Sequence, residues 1–228
     1  MGYSALSGHV LKHYAMKKTT AHTDLLNISV PAAWISLTMS AGALASLASL
    51  HILSPEFDPS RRVVSEYALG GYGWVLSLMF IAWALSSWAL VFAIHSQVRT
   101  MGGRIGLVFL LTAGAGEALA AAFDVTWPGL HGLAGLLGVP TLPIAAMLIS
   151  VSLGRTPPWA PARRWLLCTA NLTGMSLALM AAAMFTLRRS IAGIQVPIGW
   201  PNRLLVAIYA LWVMGVAWQA IRLRRKAN

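Results

Sequence analysis

The sequence predicts an all-α, polytopic integral membrane protein: a bundle of six transmembrane helices with both termini on the cytoplasmic side. Three observations predict it. The 228 residues are 57% hydrophobic and only 10% charged, with a mean hydropathy of +0.68, whereas a soluble domain carries about 25% charged residues. Apolar stretches of about 20 residues, the length that crosses a hydrocarbon core of about 30 Å, recur along the chain. Lys and Arg collect in alternate gaps between those stretches, as the positive-inside bias requires.

The net charge of +11 does not signal nucleic acid. The cations sit in short gaps and at the termini rather than along one soluble face, so nucleic-acid binding is excluded. A lone Cys168 rules out an intrachain disulfide, and inside an apolar run it reads as a small buried side chain. The first two dozen residues have no apolar h-region, and Leu6 stands where a myristoylation motif needs Ser or Thr. The chain is therefore expected to insert through its own first helix.

Residues 1–24 form a basic cytoplasmic arm, with Lys12, His13, Lys17, Lys18 and His22 suited to anionic headgroups. The transmembrane domain occupies 25–222, and a basic tail fills 223–228. The first span, about 30–53, opens with Pro31 in a first turn, where its missing N–H is harmless. Ser40, Gly42, Ser46 and Ser49 keep that span slim, so another helix can approach it. A loop rich in Pro, Gly and mixed charge follows, with a short interfacial helix around 63–69.

The second span, about 72–94, carries Trp74, Trp83 and Trp88. The third, about 105–123, holds Glu117. A tight Trp127-Pro128-Gly129 turn leads to the fourth, about 130–153. There Gly132, Gly135 and Gly138 thin one flank, and Pro140 and Pro143 predict a kink. The fifth and sixth spans cover about 165–187 and 203–221.

Placing the N-terminus inside leaves only Arg61, Arg62, Arg188, Arg189 and Arg203, of 17 Lys and Arg residues, on the outer side. Trp74, Trp127 and Trp200 then form an outer aromatic belt, and Trp34, Trp159, Trp165 and Trp218 an inner one. The expected location is a prokaryotic plasma membrane. No internal sequence repeat is visible.

With that topology the polar residues converge on the outer side: His51, Glu66, Tyr67, Asp124, His131, Asn202 and Arg203. Glu117 and Asp124 are seven positions apart, so one helix face would hold them about 10 Å apart along the axis. Glu117 is the deep group. A carboxylate in mid-span costs on the order of 3 kcal/mol to insert, so it should face the bundle, carry a proton or be paired, with Ser46 or Ser49 as candidate partners. Arg203 is expected to snorkel to a phosphate or pair with an acid. The ten methionines read as packing, and no nucleotide, zinc-protease or nucleophile-elbow motif is present.

The run His51-Ile-Leu-Ser-Pro55, then Val64-Ser-Glu-Tyr-Ala-Leu-Gly-Gly-Tyr-Gly-Trp74, then Phe123-Asp124 with Leu130-His-Gly-Leu-Ala-Gly135, and finally Asn202-Arg203 resembles the six-helix prokaryotic membrane family known as domain of unknown function 998. The resemblance extends over about 30–222. It implies architecture rather than chemistry, with polar positions at His51, Glu66, Tyr67, Asp124, His131 and Arg203. Val125 stands where many members carry another acidic or polar turn, and Glu117 lies outside the pattern.

These residues support four functions. The first is a site that binds or modifies a small amphiphile or lipid headgroup, lined by His51, Glu66, Tyr67, Asp124, His131 and Arg203. If that site is catalytic, His131 is the acid/base and Asp124 orients it. The second is a metal or b-haem site on His51 and His131. The third is a proton-coupled carrier with Glu117 as the proton site, although Asn171 and Thr173 are the only polar steps on the cytoplasmic half. The fourth is a structural subunit that binds partner helices through small-residue faces. Membrane lipids are the expected partners, other membrane subunits are further candidates, and the residues do not specify a cofactor.

Overall fold

The computed structural model describes residues 27–189 and 197–227. The basic arm with Lys12, Lys17 and Lys18, and the middle of the loop before the last span, lie outside the described residues.

Among the described residues, seven helices build the six spans: α1 (Val30–Leu53), α2 (Gly73–Ile94), α3 (Met101–Ala122), α4 (Pro128–Gly138), α5 (Thr141–Leu153), α6 (Arg163–Arg189) and α7 (Gly199–Ala227). A short 3₁₀ helix, Val64–Leu69, lies in the first loop, where the sequence places an interfacial helix. Among the described residues six helical segments are long and apolar enough to cross a membrane, with α4 and α5 together forming the fourth.

Local chemistry sets the ends. Pro31 stands in the first turn of α1, and the helix stops at Ser54, one residue before Pro55, because a residue preceding proline is pushed out of the helical region. Thr100 caps α3 by accepting the Gly103 amide at 3.0 Å, which satisfies one of the orphan donors of a helix start.

Neighbouring spans pack in chain order and the ring closes where α7 returns to α1, with α2 also touching α7 across the middle. Small and hydroxylated residues let these helices approach. Ser86 donates to the Ser36 carbonyl at 2.8 Å, Ser40 to the Ala210 carbonyl at 3.3 Å, and the Trp212 indole to the Ser150 hydroxyl at 3.2 Å. At Gly116 a Cβ would stand 2.3 Å from the Gly138 amide nitrogen, so α3 and α4 meet backbone to backbone. Gly132 and Gly135 face open space instead, and of the three glycines on that flank only Gly138 is used for packing.

The kink expected in span four is a break between Gly138 and Thr141. A continuous helix would send the amide of residue 143 to the Val139 carbonyl, and Pro143 has no N–H to send. The Tyr209 hydroxyl on α7 donates to that carbonyl at 2.8 Å instead. The Thr141 hydroxyl turns back to the Leu137 carbonyl.

Two expected side-chain placements are corrected. Cys168 is exposed on the outside of the bundle rather than buried. Trp159 does not join an aromatic belt: it is fully buried, with its indole N–H donated to Gln97 Oε1 at 3.4 Å. Trp74, Trp127 and Trp200 at one end, and Trp34, Trp165 and Trp218, are exposed, as residues facing an interface would be.

Candidate ligand-binding site

The C-terminus of α1, the N-termini of α2, α4 and α7 and the C-terminus of α3 share one end of the bundle. The polar residues there form two separate constellations.

The first is a knot around Arg203, which is only 6% exposed. Its Nε–H donates to His51 Nε2 at 2.8 Å. One terminal nitrogen donates to the Arg62 carbonyl at 2.6 Å and the Gly199 carbonyl at 3.2 Å, and the other to the Tyr67 hydroxyl at 3.0 Å. The guanidinium also stands 5.5 Å from the centre of the Tyr67 ring, a cation–π distance. His51 completes the arrangement with its Nδ1 2.7 Å from the Leu47 carbonyl; that tautomer leaves Nε2 as the acceptor Arg203 requires.

The expectation that Arg203 pairs with an acid is therefore corrected. Its partners are neutral, and among the described residues no carboxylate forms an ion pair with it. Glu66 is held elsewhere: it accepts from Arg62 at 2.9 Å and caps the 3₁₀ helix by accepting the Val63 amide at 2.8 Å. The Val64 amide reaches Asn202 Oδ1 at 2.7 Å. Gly199 sits directly beneath the loop, donating to the Ser60 carbonyl at 2.9 Å. A Cβ at Gly199 would come within 2.1 Å of the Pro59 carbonyl oxygen, so only glycine allows this crossing. The knot ties α1, the first loop and α7 into one roof.

The second constellation lines a cavity of about 140 Å³ beneath that roof. Its walls come from α2 (Phe80, Trp83), α3 (Gly116, Glu117, Ala120), the α4 segment (His131 to Val139) and α7 (Asn202 to Tyr209), with Val64 and Ser65 above. The half-helix α4 packs on α3 and faces α7 across the cavity. The walls are mostly apolar, and among the described residues no Lys or Arg lines them.

Besides the hydroxyls of Ser65 and of Tyr209, which serves the Val139 carbonyl, four polar side chains stand in those walls. Glu117 is buried, 6% exposed, and accepts from the Ser87 hydroxyl at 3.0 Å. The expected partners Ser46 and Ser49 instead return their hydroxyls to their own helix, at the Gly42 and Ala45 carbonyls. His131 has its Nδ1 2.9 Å from the Phe123 carbonyl, one of the orphan acceptors at the end of α3, so Nε2 of the neutral ring is left as an acceptor with no partner among the described residues. Asn202 spends its carbonyl oxygen on Val64 and keeps its amide N–H₂. The Trp83 indole N–H, on a residue only 5% exposed, has no hydrogen-bond partner among the described residues.

Asp124 is not in this wall. It lies past the end of α3, in the turn before α4, where its carboxylate accepts the Thr126 amide at 2.8 Å and the Thr126 hydroxyl at 2.5 Å. Those two hydrogen bonds hold its carboxyl below the ordinary carboxylate value. The hydrogen-bond partner that orients His131 is thus the Phe123 carbonyl, while Asp124 acts on it only as a nearby charge.

His51 and His131 serve different constellations. His51 has both ring nitrogens engaged and no lone pair left for a metal, and among the described residues no group of three or more His, Cys, Asp or Glu gathers. Asn171 and Thr173, the polar steps of the other half, both return to their own helix, at Leu167 and Ala170.

Trp83, Ser87 and Tyr209 went unnoticed as site residues in the sequence. The available signal was the Ser86-Ser87 pair within an otherwise apolar span, and Pro143, whose lost hydrogen bond demands a donor from a neighbouring helix.

These features define a multi-pass membrane protein with a polar-headed cavity inside a closed ring of helices. The chain belongs to the family described as protein of unknown function DUF998, whose profile matches residues 39–219. That match contains both the Arg203 knot and the whole cavity. No curated protein and no solved structure matches the chain.

Proposed function

We propose that the protein binds a small membrane-borne amphiphile in the cavity headed by Glu117, His131, Trp83 and Asn202, entering sideways between α4 and α7. The observation that carries this reading is Trp83, a residue of the cavity wall whose indole N–H is buried without a hydrogen-bond partner among the described residues. An unmet donor in such a place costs about 1–3 kcal/mol, and a bound molecule that accepts from it removes that penalty.

Mostly apolar walls with a few convergent polar groups are what a ligand site requires. The α4–α7 gap suits a ligand that arrives from the bilayer, since α4 leaves Leu133 and Leu136 exposed on its outer side. The Arg203 knot then serves as roof and frame: His51, Tyr67 and Arg203 fix where α7 begins, Glu66 fixes the 3₁₀ helix beside it, and Asp124 fixes the turn that delivers His131. With both termini cytoplasmic, the cavity opens in the outer half of the membrane.

The test is extraction of the protein purified in detergent, with bound lipids identified by mass spectrometry against bulk membrane, beside Gly135→Leu. Gly135 lines the cavity, and a Cβ there meets nothing within 4 Å, so leucine occupies the space without displacing backbone. A molecule enriched in the native protein and lost in Gly135→Leu is expected. Equal lipid profiles for the two proteins contradict the proposal.

A further inference from the structure

We infer that the head of the bound molecule is an uncharged hydroxyl, as in a long-chain or isoprenoid alcohol. This rests on the cavity being a ligand site and deepens that reading by naming the head group. The argument is one of matching donors to acceptors.

The unpartnered wall atoms are of both kinds. Trp83 Nε1 can only donate. The Asn202 amide N–H₂ can only donate, since its oxygen already receives the Val64 amide. His131 Nε2 accepts in the neutral ring whose Nδ1–H serves the Phe123 carbonyl, and Glu117, buried in mid-span with only the neutral Ser87 hydroxyl beside it, is the protonated acid, able to donate or accept.

A hydroxyl offers one hydrogen and two lone pairs, so a single head group answers both kinds at once. An ammonium head only donates. It would leave the Trp83 and Asn202 N–H groups unmet and, with Glu117 holding its proton, find no counter-charge in the wall. A carboxylate or phosphate head only accepts. It would leave His131 Nε2 unmet and find no Lys or Arg among the described wall residues, since Arg203 is committed to His51, Tyr67 and the loop carbonyls.

The experiment uses the full chain in phosphatidylcholine nanodiscs and three tritiated probes that share one tail: 1-hexadecanol, hexadecylamine and hexadecanoate. Saturable binding is measured for the native protein, Trp83→Phe, His131→Phe and Gly135→Leu. Hexadecanol is expected to bind at least about fivefold more tightly than either charged probe, and Trp83→Phe and His131→Phe to weaken it by about three- to tenfold each, the loss of one neutral hydrogen bond. Gly135→Leu abolishes binding of every probe.

If hexadecylamine or hexadecanoate binds best and Gly135→Leu removes it, the head assignment is overturned while the cavity remains a ligand site. Probe binding that is identical in the native protein and Gly135→Leu overturns both. Hexadecanol binding that Trp83→Phe and His131→Phe leave unchanged also overturns the head assignment.

Discussion

Tyr209 donates its hydroxyl to the Val139 carbonyl at 2.8 Å, the carbonyl that Pro143 deprives of its helical donor. One hydrogen bond therefore repairs the break in span four, holds α7 against it and sets one wall of the cavity. Tyr209→Phe leaves a buried carbonyl unmet and is expected to destabilise the protein by about 1–3 kcal/mol. Pro143→Ala in that background restores an amide four residues after Val139 and recovers part of the loss. A double-mutant cycle of thermal unfolding in detergent measures the coupling; additive effects would show that the two residues do not share the Val139 carbonyl.

Arg203 is the keystone of the roof. Arg203→Ala removes the donor from His51 Nε2, the Tyr67 hydroxyl and two carbonyls, and hydrogen bonds to a charged donor contribute about 1.5–3 kcal/mol each. Arg203→Lys should fail nearly as badly, since a point ammonium cannot reach partners arranged around a planar fork. Limited proteolysis should cut both variants in the loop of residues 54–72 at protease levels that spare the native protein. Resistance equal to the native protein would place the anchor of that loop elsewhere.

The glycines of the α3–α4 contact should separate by position. Gly116→Ala drives a methyl into the Gly138 amide and the Ala134 carbonyl, both backbone atoms that cannot swing aside, so α4 is pushed off α3. Gly135→Ala adds a methyl to open space and gains helix propensity of up to about 1 kcal/mol. The melting temperature should fall in the first and hold or rise in the second; a reversal would mean that α4 packs on α3 through its other face.

Asp58 and Asp124 each accept the amide and hydroxyl of the residue two positions on, Ser60 and Thr126, and both carboxyls are held below the ordinary value of 3.8, chiefly by those hydrogen bonds. A carboxyl whose folded value is depressed adds stability that is fully present above its unfolded value and is lost as pH falls through the folded one. Carbon-13 NMR of labelled Asp carboxyls, assigned with Asp58→Asn and Asp124→Asn, should show both titrating below 3.8. A midpoint at or above that value would mean the turns are open in the membrane.

Much of the architecture was legible because a bilayer allows few solutions. Every backbone group in the hydrocarbon must be met internally, so apolar length alone fixes the six spans, and Pro140 with Pro143 fixes where the fourth breaks. The convergence of His51, Tyr67 and Arg203 on one end was legible too, since loop order places them there.

What those residues do to one another was not. The sequence offers acids as partners for Arg203, but Glu66 is captured locally by Val63 and Arg62, which leaves His51 and Tyr67. Glu117 finds Ser87 rather than Ser46 or Ser49 because α2, not α1, is the neighbour of α3. Trp83 is one of ten tryptophans, and nothing in its sequence position distinguishes the one indole whose N–H is buried in a cavity wall.

The most direct test of the central claim is an experimental density map of the protein purified with native lipid, at a resolution that separates water from a continuous chain. We predict elongated density between α4 and α7 whose head lies within hydrogen-bond reach of Trp83 Nε1 and His131 Nε2. Isolated waters in the cavity, or an α4 closed onto α7 with no room between them, would contradict it.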